Sequence, residues 1–210
     1  MGTSSDASVR RSFDSIADLY AVQFAHELER KPFDRALLEG FAERAADPVA
    51  DLGCGPGHVG DYVAGRGRRV VGSDFSVESL RQGRFLFPGM SFVAGDLLRL
   101  PFASSSLGGV VAFYSLIFGD DEHLARCLAE IRRVLAPRGA LLAAVHGGEG
   151  ADRHDSYEGR PIDVTIVGRD PDRTAELAAG SGFNVEDVRV REPYDFEHPT
   201  KRIYLLASVP

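Results

Sequence analysis

Three aspartates close three successive apolar segments of the chain, at positions 51, 74 and 96, so that the separations are 23 and 22 residues. Ionised carboxylates attract cations and accept hydrogen bonds from hydroxyl and amino groups. If the segments are neighbouring strands of an open α/β sheet, their carboxyl ends meet at one ligand crevice. We therefore predict that Asp51, Asp74 and Asp96 line one cleft, with Asp74 placed for a bidentate bond to ribose hydroxyls. The alternative is that each aspartate only caps the turn after it.

A glycine-rich loop follows the first of these acids. Glycines stand at alternate positions in residues 53–57, before a helix-compatible segment at 59–64, a pattern typical of a strand, a tight turn and a helix. Residues 55–60 also fit G-x-G-x-x-G, which predicts a dinucleotide pyrophosphate on the helix N-terminus and an NAD(P)-dependent oxidoreductase. The carboxylate of Asp51 would repel that pyrophosphate, and Pro56 lacks the N–H that would bind it. A cationic nucleoside without phosphates is therefore the favoured ligand.

Strand-like and helix-like segments alternate through the rest of the chain, which is typical of a parallel, doubly wound α/β sheet in one domain. Two helices precede the first strand, the first capped by Ser12 or Asp14 and the second beginning at Pro32. Residues 1–11 are small and polar and predict a disordered tail, whereas residues 147–160 predict an irregular polar segment. The strands predicted after the glycine loop are 69–74, 91–96, 107–114, 140–146, 162–167, 185–190 and 203–209.

The composition of the chain limits the classes of partner that it is expected to bind. The 210 residues carry a formal net charge of −7, which works against binding to nucleic acid or to anionic membranes. No apolar run is long enough to cross a bilayer, and Cys54 and Cys127 lack metal-type spacing. With no signal peptide evident, we expect free thiols in a reducing cytoplasm. We also expect a monomer or homodimer with no nucleic-acid or membrane partner.

Histidine and tyrosine side chains are the candidates for acid–base work near neutral pH. None of the six histidines pairs at a spacing typical of metal ligands, so no metal site is predicted. His146 ends the predicted fifth strand on the crevice side, Tyr114 ends the fourth, and His154 lies in the polar segment. We predict these three as catalytic candidates, the alternative being a solvated or structural role. His58, in the glycine loop, is a candidate for contact with the ligand.

Four motifs in order make the chain resemble the class I S-adenosylmethionine (SAM) dependent methyltransferases, with similar sequences common among actinobacterial enzymes of small molecules. One departure is Leu107-Gly108, where the family usually has Phe-Asp before the fourth strand. Over about residues 12–210, the resemblance implies a single Rossmann-like domain. It implies a seven-stranded, mostly parallel sheet of order 3-2-1-4-5-7-6 whose last strand is antiparallel. Residues 51–57 resemble the family's first motif, 72–76 the second, 95–102 the third and 133–139 the late helix-to-strand turn.

The resemblance also implies SAM as the cofactor and assigns its contacts. Helices within residues 12–47 would close over the cofactor as a lid, and residues 147–168 would face the methyl acceptor. Asp51 would face the methionine part of SAM, Asp74 the ribose and Asp96 the adenine amino group. Tyr20 is either a lid residue or part of a plain core stripe. The implied cofactor-binding residues are Tyr20, Asp51, Gly53, Gly55, Asp74, Phe75, Asp96, Leu97 and Phe113.

The reaction that this resemblance implies is in-line transfer of a methyl group from SAM to a metabolite or natural product, leaving S-adenosylhomocysteine. SAM already carries the activated group, so the protein supplies alignment and a closed, dry cavity. Two alternatives stay open. One is a SAM-binding protein that regulates or catalyses another reaction such as cyclisation, and the other is the oxidoreductase.

Overall fold

The computed structural model describes residues 5–210, so residues 1–4 of the predicted tail lie outside it, and its main feature is a sheet of seven strands. Numbered along the chain, the strands stand in the order β3-β2-β1-β4-β5-β9-β8, with β9 antiparallel to both neighbours. Within the sheet β8 and β9 are the sixth and seventh strands, so the predicted order is confirmed. The seven strands are β1 (Val49–Leu52), β2 (Val70–Asp74), β3 (Ser91–Ala94), β4 (Leu107–Phe113), β5 (Leu135–Gly147), β8 (Asn184–Arg191) and β9 (Lys201–Ser208).

Helices cover both faces of this sheet, as expected for strands joined by crossover connections. The side chains of Ser76, Asp120 and Asp170 cap three of them, each accepting a hydrogen bond from the backbone N–H three residues on. In the described part of the chain, no helix combines the length and apolarity needed to cross a membrane. The helices are α1 (Asp6–Phe24), α2 (Pro32–Arg44), α3 (His58–Ala64), α4 (Val77–Leu86), α5 (Asp121–Val134) and α6 (Pro171–Gly180), with a short 3-10 helix over Glu27–Arg30.

Strand β4 lies at the centre of the sheet and divides the core into two layers. All of its residues are buried, because α5 and α6 cover one face and α2 and α3 cover the other. Successive side chains of a strand point to opposite faces, so Val110 and Ala112 join the first layer, while Val111 and Phe113 join the second. The continuous apolar run of β4 is the sequence pattern of a strand that is buried on both sides.

Helix α1 begins at Asp6, so the predicted disordered tail is wrong for residues 6–11. The N-cap of this helix is Ser5, whose hydroxyl accepts a hydrogen bond from the backbone N–H three residues on at 3.3 Å. The predicted caps, Ser12 and Asp14, lie inside the helix. A capping serine followed by an acid in the first turn is a local signal for a helix start, which the small, polar composition of this segment obscured.

Contacts with a distant hairpin explain why α1 starts so early. Strands β6 (Ala151–Tyr157) and β7 (Arg160–Val167) pair antiparallel, outside the main sheet. The hydroxyl of Ser8 donates a hydrogen bond to Asp163 of β7 at 2.6 Å, and Val9 is buried. The first turns of α1 are therefore stabilised by a segment that lies about 150 residues further along the chain, which local composition does not reveal.

The hairpin also corrects the prediction of an irregular segment. That prediction is wrong for residues 151–157, which form β6, whereas the predicted extra strand at 162–167 is confirmed as part of β7. Most residues of β6 are exposed, so the strand shows none of the apolar alternation used to detect strands. Its backbone groups are satisfied by pairing with β7 instead.

Phe41 of α2 packs over Gly109 of β4, where a Cβ atom added to the glycine would stand 2.8 Å from the ring. We expect Phe41→Ala to lower the free energy of unfolding by about 3–5 kcal/mol, because a buried ring is lost and a cavity remains. The matched control Phe85→Ala removes a ring that is 81% exposed and should change stability by less than about 0.5 kcal/mol. Urea denaturation measures both, and equal effects would contradict the described core.

Candidate active site

Three neighbouring parallel strands end at one cavity. Because β2 pairs in parallel with both β1 and β3, Asp51, Asp74 and Asp96 reach the same edge of the sheet and line this cavity together. It encloses about 1080 Å³ including its open mouth. The sequence-predicted residues in its wall are Tyr20, Asp51, Gly53, Gly55, His58, Asp74, Phe75, Asp96, Leu97, Phe113 and Tyr114.

The loop between β1 and α3 depends on glycine at two positions. Gly53 has φ +65°, and a Cβ added there would stand 2.2 Å from the Cβ of Ser115. Gly55 has φ +52°, a backbone region that residues with a Cβ rarely adopt. Its N–H donates a hydrogen bond to Asp74 at 2.8 Å. Glycine is therefore required both by the turn and by the close approach of this loop to its neighbours.

Asp51 carries a buried carboxylate with little hydrogen-bonding support. It is 1% exposed and accepts a hydrogen bond from the N–H of Gly60 at 2.8 Å. Burial raises its pKa to about 7, an effect that the charge of His58 and the Gly60 hydrogen bond oppose and the charge of Asp74 reinforces. A cation bound in the cavity would favour the ionised form and lower this pKa.

Asp74 holds the glycine loop against the segment that follows β2. Its Oδ1 accepts a hydrogen bond from the N–H of Ser76 and its Oδ2 from that of Gly55, both at 2.8 Å. Burial raises its pKa to about 6, although the two amide hydrogen bonds lower it. Each carboxylate oxygen can accept a further hydrogen bond, so these contacts remain compatible with hydroxyl donors. Asp96, by contrast, is exposed and accepts from the N–H of Leu98 at 2.8 Å.

Helix α1 contributes aromatic rings to the cavity wall. The ring of Phe13 lies 5.8 Å from Tyr20, 6.0 Å from Phe118 and 6.2 Å from Phe75. Tyr20 lies over the glycine loop, 3.8 Å from a Cβ placed on Gly55, a position that supports its assignment to the lid. The sequence analysis missed Phe13 and Phe118, although Phe13 stands two helical turns before Tyr20 and so shares its face of α1.

A histidine–glutamate pair that the sequence analysis did not identify lies in the same wall. Nε2 of His58 is 2.9 Å from Oε1 of Glu27, and Oε2 of Glu27 accepts a hydrogen bond from Lys31 at 2.6 Å. Burial raises the pKa of Glu27, but the hydrogen bonds and charges of His58 and Lys31 outweigh it and the pKa is lowered. Nδ1 of His58 is buried with no hydrogen-bond partner among the described residues, so it is available to a ligand.

A network of buried ion pairs connects Lys31 to Asp34, which lies next to the hydroxyl of Tyr114. Lys31 also pairs with Glu197 at 3.2 Å, Glu197 binds Arg191 at 2.6 Å, and Arg191 binds Asp34 at 2.9 Å. The hydroxyl of Tyr114 lies 3.5 Å from Asp34. Burial and the charge of Asp34 raise the pKa of Tyr114. Its phenol therefore stays protonated and acts as a hydrogen-bond donor in the cavity wall.

The two predicted catalytic histidines do not belong to the described lining of the cavity, which includes Tyr114. Nδ1 of His146 is 2.8 Å from the hydroxyl of Thr200, and its ring packs 5.0 Å from that of Tyr114. Burial, with the charge of Arg202, lowers the pKa of His146 to about 3, so its imidazole is neutral near pH 7. His154 lies on β6 of the hairpin.

The charge of the cavity wall favours a cationic ligand over an anionic one. Its described residues include no lysine or arginine, so a pyrophosphate would find neither of these cations there and would be repelled by the carboxylates. SAM, which the resemblance implies, carries a sulfonium, an ammonium, a carboxylate, ribose hydroxyls and an adenine amino group, and has no phosphate. The residues present fit such a ligand. The acidic residues of the wall are Asp6, Glu27, Asp51, Asp74 and Asp96.

The chain is similar in sequence to known methyltransferases. A family model described as a methyltransferase domain matches residues 49–139. A malonyl-[acyl-carrier protein] O-methyltransferase of Methylovorus sp. is 32% identical over 208 residues, covering 89% of this chain and 67% of that relative. A demethylmenaquinone methyltransferase of Beutenbergia cavernae is 36% identical over 110 residues, covering 52% of this chain and 45% of the relative. The chain thus spans about half to two thirds of the length of these relatives.

The fold is also similar to those of solved structures. The 1,6-didemethyltoxoflavin-N1-methyltransferase of Burkholderia thailandensis, solved with 1,6-didemethyltoxoflavin and S-adenosylhomocysteine, matches with a TM-score of 0.71 at 19% identity, covering 97% of this chain and 88% of that one. A putative methyltransferase in complex with the Trm112 activator of Haloferax volcanii gives 0.72 at 22% identity, covering 97% and 98%. At these identities the likeness establishes the fold.

The raised pKa of Asp51 makes stability depend on pH. Between an unfolded value near 4 and the folded value of about 7, the folded chain binds more protons than the unfolded one, so the free energy of unfolding falls as pH rises through this window. We expect Asp51→Asn, which removes the buried charge, to be more stable than the wild type at pH 8 by about 2–4 kcal/mol and to differ little at pH 4.

Urea denaturation at pH 4 and pH 8 measures this difference. The control Asp195→Asn alters an exposed aspartate and should leave both values within about 0.5 kcal/mol of the wild type. No gain in the Asp51 variant at pH 8 would contradict a desolvated carboxylate at this position.

Proposed function

Because the chain belongs to the class I SAM-dependent methyltransferases, we propose that it transfers the methyl group of SAM to a small-molecule acceptor, a metabolite or natural product, and releases S-adenosylhomocysteine. The observation that carries this proposal is the convergence of buried Asp51 and Asp74 on a cavity whose described wall holds no lysine or arginine. Such a cavity favours a cationic nucleoside over a phosphorylated one, which opposes the NAD(P) alternative.

Cofactor contacts follow from the chemistry of the wall. Asp74 would accept hydrogen bonds from the ribose hydroxyls, and Asp96 with Leu97 would hold the adenine edge. Phe75, whose ring faces Phe13, would pack beside the adenine. These roles match donors and acceptors of SAM to groups that already lie in one cavity.

The methionine part of SAM would lie at the Asp51 end of the cavity. Asp51 is a natural partner for the ammonium group, and the bare backbone at Gly53 and Gly55 allows close approach. When the ring of His58 is protonated, Nε2 donates to Glu27 and Nδ1 can donate to the carboxylate of the methionine part. The buried, unpartnered Nδ1 of His58 supports this assignment.

SAM, when bound, supplies the activated methyl group and its own leaving group. The contribution of the chain is to fix the direction of approach and to exclude water, since correct orientation in a dry site lowers the barrier to transfer. Phe13 and Tyr20 of α1 would cover the bound cofactor. Tyr114 would border the acceptor, and His146, packed 5.0 Å from it, would position that ring rather than take a proton.

A second candidate function is SAM binding without methyl transfer. It is favoured by the two tyrosines of the described cavity wall, which cannot serve as general bases. Tyr20 and Tyr114 have raised pKa values because of burial, and Nε2 of His58 is engaged by Glu27. Neither tyrosine can accept a proton near pH 7, so an acceptor that needs deprotonation would depend on another group, and His123 is the other histidine in the described cavity wall.

Calorimetry and label transfer test the proposed function together. We expect SAM and S-adenosylhomocysteine to bind the wild type and NADH not to bind. Asp74→Asn should weaken SAM binding by about 10- to 100-fold, because a charged acceptor for the ribose hydroxyls becomes neutral. The control Asp195→Asn should bind as the wild type does. Binding of NADH but not SAM would overturn the proposal.

Incubation with methyl-labelled SAM and a panel of acceptors carrying hydroxyl, amino or carboxyl groups separates the two functions. Label in a product establishes methyl transfer. Tight SAM binding with no label in any product would favour the second candidate.

If His58 binds the carboxylate of SAM, its substitution should weaken the binding only of ligands that carry this carboxylate. We expect His58→Gln to weaken SAM binding about tenfold, because a charge-assisted hydrogen bond to the carboxylate is lost. Decarboxylated SAM lacks that carboxylate, so its affinity should change less than about twofold in the same variant. Calorimetry near pH 6.5 measures all four affinities, and equal losses for both ligands would refute the contact.

A further inference from the structure

The geometry points to a metal site outside the cavity: we propose that Asp152, His154 and His198 bind one divalent transition-metal ion, with Zn²⁺ the best match. Asp152 and His154 stand on β6 of the hairpin, and His198 lies in the segment between β8 and β9. The three residues come from two distant parts of the chain, so no short sequence spacing could reveal them. The inference does not depend on the proposed function.

The distances among these side chains suit ligands of one ion. Oδ2 of Asp152 lies 3.4 Å from Nε2 of His154 and 3.8 Å from Nε2 of His198, and one ligand atom from each residue lies within 4.8 Å of the others. Both contacts exceed the range of about 2.7–3.2 Å expected of a hydrogen bond. Two ligands held about 2.1 Å from one Zn²⁺ stand about 3.0–3.5 Å apart, so small side-chain shifts complete the site.

A second observation points to a ligand. Nε2 of His154 is buried and has no hydrogen-bond partner among the described residues. A buried imidazole nitrogen without a partner loses the free energy of a hydrogen bond to water. A metal ion between His154 and Asp152 would satisfy this nitrogen.

The donor set favours zinc among common ions. Two imidazoles and one carboxylate are a frequent three-ligand set for Zn²⁺, with the fourth tetrahedral position open to water or another ligand. Nitrogen donors disfavour Mg²⁺ and Ca²⁺, which prefer all-oxygen sites. Asp152 is exposed, so an ion has a route into the site from solvent.

The segment that carries His198 is held in place before any ion binds. The side chain of Arg202, which is 3% exposed, donates a hydrogen bond to the backbone carbonyl of His198 at 3.1 Å. The imidazole of His198 also lies 6.1 Å from that of His146 and 6.0 Å from that of His154. One ligand is thus presented by a fixed backbone and the other two by the hairpin.

An ion at this position would brace the hairpin against the main domain. The hairpin in turn holds α1, because Arg160 pairs with Asp18 and Ser8 donates to Asp163. The ion would therefore act on the helix that carries Phe13 and Tyr20. Its expected role is structural, with consequences for the order of residues 151–167.

Zinc titration of protein without a histidine tag, stripped with a chelator, tests the site. We expect calorimetry to find one Zn²⁺ per chain, and Co²⁺ to give the intense visible absorption of a four-coordinate ion. His154→Ala and His198→Ala should each weaken Zn²⁺ binding at least about tenfold. The control His26→Ala removes a histidine whose side chain is 81% exposed, immediately before the short 3-10 helix, and should bind Zn²⁺ as the wild type does.

Circular dichroism establishes that the variants are folded, and hydrogen exchange supplies a second readout. Zn²⁺ should slow exchange in residues 151–167 of the wild type but not of His198→Ala. Absence of a stoichiometric Zn²⁺ site, or equal affinity in the wild type and both ligand variants, would overturn the metal site. Stoichiometric binding that leaves exchange in the hairpin unchanged would overturn its bracing role.

Discussion

Burial of two carboxylates under a glycine loop is the constraint on which the rest of this structure depends. Asp51 and Asp74 leave water at the ends of β1 and β2, and the backbone amides of Gly60, Gly55 and Ser76 replace part of the lost hydration. The turn that presents the Gly55 amide has positive φ at Gly53 and Gly55, which favours glycine at both positions. The amides do not fully offset the cost of desolvating these carboxylates, and a bound cation would lower it further. The same buried charges therefore destabilise the fold and favour a cationic ligand in the cavity.

The features predicted correctly from the sequence are those with local signals. The strand predicted at 107–114, which is β4, and the repeated acid at three strand ends follow from short stretches of chain. Since the topology of parallel strands brings their carboxyl ends together, the shared cavity of Asp51, Asp74 and Asp96 was predictable too. The family resemblance supplied the antiparallel last strand, which periodicity alone does not reveal.

The features that were missed depend on partners far apart in the chain. The early start of α1 depends partly on the hydrogen bond between Ser8 and Asp163. Strand β6 is polar, and it is stabilised by pairing with β7 rather than by an apolar pattern of its own. Glu27 and His58 lie 31 residues apart, and neither has a neighbour that marks it as part of a pair. The predictions for His146 and His154 relied on strand ends and polarity, and those signals do not resolve which way a side chain faces.

The position of α1 affects access of small molecules to the cavity. Phe13 and Tyr20 form part of the cavity wall, so movement of this helix away from the hairpin would open that side of the cavity to solvent. The contacts between α1 and the hairpin include the ion pair of Asp18 and Arg160, whose side chains are hydrogen-bonded at 2.8 Å and half-exposed. Dissolved salt screens the attraction between such exposed charges. Ionic strength would therefore act on the helix that closes one side of the cavity, through two side chains that do not belong to the described cavity wall.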